Sequence, residues 1–281
     1  MATTTELQGI ASQVRRDIVR MVYNCQSGHP GGSLGCADYL TALYFAVMKR
    51  KKRFYMEGKD EDMFFLSNGH ISPLFYSVLA RAGYFPIEEM STFRQLNSRL
   101  QGHPTTHEGL PGVRIASGSL GQGVSVACGV ALAKKMSGDS HFVWALTGDG
   151  ELQEGQNWEA FMFAPHHKLD NLIVTIDWNG QQIDGSTDKV MSLGDLPAKL
   201  KAFGWDVLIL QDGNNIESVV ATLRKAKRRG GKGKPVAILM KTQMGAGVDF
   251  MMGSHKWHGI APNKEQLDAA LAQLPEALGD F

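Results

Sequence analysis

Short, continuously apolar runs alternate along this chain with helical periodicity, and the runs lead into polar turns that contain glycine. Met63-Phe64-Phe65-Leu66 leads into Ser67-Asn68-Gly69-His70, and Phe142 to Thr147 into Gly148-Asp149-Gly150. Leu172 to Asp177 leads into Trp178-Asn179-Gly180. Asp206 to Leu210 and Pro235 to Met240 read as two more strands, separated by a helix from Ile216 to Arg229 that Gly230-Gly231 ends. A strand covered on both faces has no solvent side, so its sequence does not alternate. Runs of this kind joined by helices predict an α/β fold, a parallel sheet flanked by helices on both faces. Ligands of such sheets bind beyond the C-terminal strand ends, which is where the glycine turns fall.

The remaining periodicity is helical. Leu7, Ile10, Val14, Ile18 and Val22 share one face of an N-terminal helix. Leu34, Ala37, Leu40, Tyr44 and Met48 predict a second, which the basic run Lys49 to Arg53 ends as a solvated C-terminus. Ser72 followed by Pro73 reads as an N-cap and first helical residue, with a stop at Gly83. Lys264 to Leu274 is a last helix. No linker interrupts the pattern, so residues 1–281 read as one domain.

Composition narrows the function. The 29 basic and 28 acidic side chains leave a net charge of +1, which gives no electrostatic reason to expect nucleic acid or an anionic membrane as partner. No apolar run approaches the roughly 18 residues of a membrane span, and MATTTELQGI lacks the pattern of a signal peptide. Cys25, Cys36 and Cys128 match no metal spacing, and an odd number of cysteines suits reduced thiols in the cytoplasm.

The glycine turns are not the familiar nucleotide signatures. Gly148-Asp149-Gly150-Glu151-Leu152-Gln153 lacks the third glycine of a dinucleotide fingerprint and places a carboxylate where pyrophosphate would approach. Gly118-Ser119-Leu120-Gly121-Gln122-Gly123 has no following Lys-Ser or Lys-Thr. An aspartate beside a diphosphate is sensible only with a divalent cation between them. Magnesium takes hard oxygen ligands from protein, phosphate and water together. Asp149 and the amide oxygen of Asn179, at neighbouring strand ends, are candidate ligands, with the backbone carbonyl of Gln181 as a third. Taken singly, each half also reads as an ordinary tight turn.

GDGELQEGQNWEA followed by DWNGQQIDG resembles the thiamine diphosphate motif, and the surrounding blocks resemble transketolase. SGHPGGSLG (27–35), LSNGH (66–70), QGHP (101–104), GSLGQGVS (118–125) and GSHKWHG (253–259) match that family in its order. The resemblance covers essentially the whole chain but only the first of the family's three domains. It implies a thiamine diphosphate-binding fold and the N-terminal subunit of a split transketolase. Such a chain works with a separate C-terminal subunit, in a two-fold assembly of two of each. The implied reaction transfers a two-carbon ketol unit between sugar phosphates in the non-oxidative pentose phosphate pathway.

The resemblance also assigns residues. Asp149, Asn179 and Gln181 hold Mg2+ or Ca2+. Gly121, Gln122, Gly123, Gly150, Glu151, His70 and His255 contact the cofactor, together with Asp149 and Asn179. Gly150 allows close backbone approach to the diphosphate. His29, His70, His103 and His255 form the catalytic set, with His258 a nearby fifth candidate. Imidazole donates and accepts hydrogen bonds, which suits it to sugar hydroxyls and proton transfer. Glu154 matches a glutamate that meets the partner's glutamate across the interface, and reads equally as an acid complementing a helix dipole. His166 and His167 are structural. The alternatives are a transketolase for a rarer sugar phosphate, a deoxyxylulose-phosphate synthase, a 2-oxoacid dehydrogenase α subunit, or a non-catalytic cofactor-binding domain.

Overall fold

The computed structural model describes residues 2–51 and 53–281. Lys52, inside the basic run that ends the second predicted helix, lies outside the described residues. The chain opens with α1 (Thr4–Cys25), started by a capping box in which the Thr3 hydroxyl and the Glu6 side chain serve each other's backbone N–H. Next come α2 (Pro30–Gly35) and α3 (Ala37–Ala42). The second predicted helix is therefore broken. Cys36 leaves helical geometry between the two pieces, and a turn of π-helix, Leu43–Val47, closes the segment. The apolar spacing holds, but three glycines packed against other segments end the first piece early.

Then follow β1 (Met63–Leu66), α4 (Ser72–Arg81), α5 (Gly123–Met136), β2 (Val143–Gly148), α6 (Gly155–His166) and β3 (Leu172–Asp177). A small hairpin of β4 (Gln181–Gln182) and β5 (Gly185–Ser186) leads into α7 (Thr187–Met191) and α8 (Leu196–Ala202). The chain ends with β6 (Asp206–Leu210), α9 (Ile216–Arg229), β7 (Val236–Met240) and α10 (Lys264–Gln273). Ser72 does not cap α4; it sits in the first turn and its Oγ donates to the Gly102 carbonyl at 2.7 Å.

The main sheet has five strands in the order β1-β2-β3-β7-β6, every pair parallel. Its strands carry two cores. Phe64, Leu66, Trp144, Leu146, Ile173 and Ile238 face one layer, with α1, α3, α4 and α9 behind them. Met63, Phe65, Val143, Ala145, Leu172 and Val174 face the other, with α5, α6 and α8. Burial on both faces is why these strands read as unbroken apolar runs. No helix among the described residues is long and apolar enough to cross a membrane.

Candidate active site

The C-terminal ends of β1, β2 and β3 are adjacent, and one cavity lies above them. Asn68, His70, Gly148, Asp149, Glu151, Glu154, Asp177, Asn179, Gln181 and His258 are in its wall. The register pairs Gly148 with Asp177. This places Asp149 and Asn179, thirty positions apart in sequence, on the same rim.

At that rim the chemistry is anionic. Asp149 is buried; its carboxylate accepts from Gly150 N–H at 2.8 Å and Gly180 N–H at 2.6 Å. Burial, and then the nearby Asp177 carboxylate, push its pKa up to about 8. Asp177 accepts from Asn179 Nδ2 at 2.8 Å and from the Thr242 hydroxyl. Asn179 Oδ1 accepts from Gln181 N–H at 2.8 Å. Two buried carboxylates with no basic side chain between them repel each other, and a divalent cation is the natural remedy. The donors are hard oxygens: the Asp149 carboxylate, the Asn179 amide oxygen and the Gln181 carbonyl, a set that fits Mg2+ or Ca2+. Asp177 holds the nitrogen of the Asn179 amide, which fixes which end is the oxygen.

Glu151, expected to contact the cofactor, is in the cavity wall and also ties protein segments together. Its carboxylate is buried and saturated. One oxygen accepts from the Ser67 hydroxyl and Gly121 N–H; the other accepts from the Thr147 hydroxyl at 2.7 Å and Gly148 N–H at 3.2 Å. Glu151 thus ties the ends of β1 and β2 to the glycine turn before α5. The Gly121 amide, 2.8 Å from Glu151, is already spent. Gln122 is exposed and donates to the Ser119 hydroxyl. A side chain at Gly123 would strike Ser67 at 2.6 Å, so that glycine serves helix packing. From this turn Leu120 reaches the cavity wall. Gly150 does permit a close approach, but the group a Cβ there would meet is Gln182, at 2.8 Å.

On the other side, loops bring four imidazoles together. His29 lies 5.1 Å from His70, 6.1 Å from His103 and 5.5 Å from His258, between ring centroids, and His70 lies 5.0 Å from His258. The fourth ring is His258. His255, expected in this set, begins the same 3₁₀ turn but makes no ring contact with the other imidazoles among the described residues. Trp257, between them, packs against Phe250 and the core. Burial pushes all four pKa values down, His29 to about 4. Mutual repulsion adds to this for His29 and His70. At neutral pH the rings are uncharged and each can donate and accept. His29 and His258 also have a buried Nδ1 with no hydrogen-bond partner among the described residues, as expected of groups aimed at a ligand.

Glu154 is the N-cap of α6, yet its side chain makes no capping bond. It lies on the cavity wall, with its Cβ 2.9 Å from where a side chain on Gly121 would sit. His167 packs on Phe163 and His166 meets His167 edge-on, and neither is in the cavity wall. Among the cavity residues that the sequence reading did not single out are Asn68 and Ile183. Asn68, within LSNGH, has a buried Oδ1 without a hydrogen-bond partner among the described residues. Ile183, in the β4–β5 hairpin, is 60% exposed and stands on the rim. The first was legible as a polar residue at a strand end; the second gives no signal in a short polar hairpin.

A parallel sheet with paired acidic and amide oxygens at its strand ends is the architecture of an α/β cofactor-binding domain. Residues 7–277 match the family described as transketolase, thiamine diphosphate binding domain, and the chain belongs to that family. It is 39% identical over 272 residues to an apulose-4-phosphate transketolase subunit of Actinobacillus succinogenes, with 96% of each chain covered. It is 39% identical over 270 residues to the 6-deoxy-6-sulfo-D-fructose transketolase subunit SqwG of Clostridium sp. (strain MSTE9), again with 96% of each covered. Among solved structures, transketolase from Campylobacter jejuni superposes with a TM-score of 0.89 at 35% identity, covering 98% of this chain and 43% of that one. Transketolase from Leishmania mexicana gives 0.89 at 32% identity, covering 98% of this chain and 41% of that one. The chain thus spans less than half the length of those solved transketolases.

Proposed function

We propose that this chain is the cofactor-binding subunit of a two-chain transketolase. The observation that carries the reading is the convergence of Asp149, Asn179, His70 and His258 on one cavity at three neighbouring strand ends, with the His29 ring against both histidines and His103 beside His29. Asp149, Asn179 and the Gln181 carbonyl would hold Mg2+, and through it the diphosphate. When bound, thiamine diphosphate supplies the nucleophilic carbon and electron sink for carbon–carbon bond cleavage. This chain's residues do the rest. His29, His103 and His258 hold the sugar hydroxyls and, being neutral, take or return a proton at a hydroxyl oxygen. His70, in contact with both His29 and His258, positions those rings beside the cofactor end.

The solved relatives are more than twice as long, and two relatives matched end to end are named as subunits. Both facts support a separate partner chain that closes the cavity. We take the assembly as two copies of each chain, and the compartment as cytoplasmic, given three free thiols. Glu154, free of any capping duty beside the cavity, is placed to meet a group from the partner. The donor is a ketose phosphate. Xylulose 5-phosphate is the pentose phosphate pathway candidate, while the names of those two relatives favour a rarer ketose, branched or sulfonated. The test is turnover of xylulose 5-phosphate, a branched pentulose 4-phosphate and a 6-sulfo-ketose with ribose 5-phosphate as acceptor, in thiamine diphosphate and Mg2+, by this chain with and without a C-terminal partner. The reading expects turnover of at least one donor only in the mixture. Full activity of the isolated chain would refute it.

A further inference from the structure

The histidine pocket is built on loops, yet its rings are held at fixed spacing by one side chain that the proposed chemistry leaves unused. Arg94 has φ +59° and lies between Phe93 and Gln95, with its backbone N–H donating to the Leu100 carbonyl at 2.9 Å. Its guanidinium reaches two different loops. Nη1 donates to the Ser27 hydroxyl at 2.8 Å, two residues before His29. Nη2 donates to the Gly102 carbonyl at 3.3 Å, one residue before His103. The plane lies flat on Gly102, where a Cβ would come within 2.8 Å of Arg94 Cζ. The Gly102 carbonyl is held from the other side by Ser72 Oγ at 2.7 Å. His103 in turn lies against Gly118, where a Cβ would meet the ring at 2.6 Å.

Arg94 has no carboxylate partner among the described residues. Its positive charge faces His29 and His103 and opposes protonation of both. An arginine without an acid, bonded to a neutral hydroxyl and a carbonyl on the two loops that carry the rings and lying over the Phe93 ring at 5.5 Å, is arranged for geometry.

We propose that Arg94 is the positioning residue of the histidine pocket: its guanidinium clasps the Ser27 and Gly102 loops together and so sets the separation of His29 and His103. This rests on the reading that the pocket receives a sugar. The planar fork makes both contacts at once; a lysine ammonium, a single point on a flexible stem, keeps the charge and loses the bridge. The two substitutions therefore separate charge from clasp.

The test uses the full chain, isolated for spectroscopy and with its partner for kinetics. In imidazole NMR the wild type shows a contact between the ring protons of His29 and His103. In Arg94→Lys that contact is lost while the titration midpoints of both rings hold. In Arg94→Met the contact is lost and both midpoints rise, because a charge opposing protonation is gone. The other groups facing these rings, His70 and His258, are common to all three proteins. With the partner, both variants raise KM for the ketose roughly ten- to a hundredfold, the scale of a misplaced binding group, while the Kd for thiamine diphosphate stays within about twofold of wild type by calorimetry. An Arg94→Lys protein with the wild-type ring contact would overturn the clasp, and so would a wild-type KM. Absence of wild-type turnover would count against the proposed function alone, since the ring contact reads Arg94 without substrate.

Discussion

The two ends of the cavity are built on different principles. The cation end is made of strand termini. Asp177 ends β3, Asp149 and Asn179 follow β2 and β3, and their positions are fixed by the sheet register and by backbone N–H groups. It is acidic and buried, with a donor set that suits a divalent cation. The histidine end is made of loops and turns. Its rings are neutral, its spacing depends on side chains such as Arg94, and two of its ring nitrogens have no hydrogen-bond partner among the described residues. The comparison teaches that rigid acidity and adjustable neutral polarity have been divided between sheet and loops, the division that the proposed function calls for.

The largest effect that would break this comparison is at the cation end. Asp149→Ala should weaken Mg2+-dependent thiamine diphosphate binding by at least the roughly hundredfold that loss of metal-site groups brings, measured by calorimetry with and without Mg2+. Unchanged affinity would remove Asp149 from the site. The next effect separates two histidines three residues apart. His258→Ala should lower kcat/KM about a hundredfold, the scale of a general acid–base group, and His255→Ala should leave it near wild type. Equal losses would show that both rings enter the pocket.

Glu151 sharpens the comparison as a structural member of the anionic end. In Glu151→Gln two of the four donors face an amide NH2 in place of an oxygen. Each such buried donor costs about 1–3 kcal/mol, so the melting temperature should fall by several degrees. A variant as stable as wild type would mean the clasp is dispensable. The smallest effect concerns pH. His29 drops from its ordinary 6.5 to about 4 on folding, and His70, His103 and His258 shift the same way. For these four rings the unfolded chain binds more protons than the folded one as pH falls through 6.5, so their contribution to stability is full above that value and is lost toward pH 4. Asp149, raised to about 8, with Asp177 and Glu151 raised in the same direction, works the other way, because the folded form holds protons that the unfolded chain has already released. The difference in melting temperature between wild type and His29→Asn isolates the ring and should fall as pH goes from 6.5 toward 4; a difference that stays constant over that window would contradict neutral burial of His29.

The sheet was legible because a strand buried on both faces cannot hide. Leu172–Asp177, buried throughout, falls where its apolar run predicted; Asp206–Leu210 does so too, although it is an edge strand with Ile209 exposed. The meeting of Asp149 and Asn179 was legible because they follow neighbouring strands almost at once. What escaped depends on contacts distant in sequence. The break at Cys36 follows from glycines pressed against segments far along the chain, Gly31 on Met244 and Gly35 on Gln243. The hydrogen bond from Gly121 to Glu151 depends on a carboxylate thirty positions away. That His258 and not His255 meets His29 and His70 depends on the course of a loop far along the chain from both. Arg94 gave no local signal at all, because its role lies in two loops on either side of it.

The most direct measurement of the central claim is an anomalous diffraction map of the chain crystallised with thiamine diphosphate and Mn2+ in place of Mg2+. The account predicts one strong peak about 2.2 Å from an Asp149 carboxylate oxygen, the Asn179 amide oxygen and the Gln181 carbonyl. A peak that leaves Asp149 and Asn179 without a shared ion, or no peak with the cofactor bound, would contradict it.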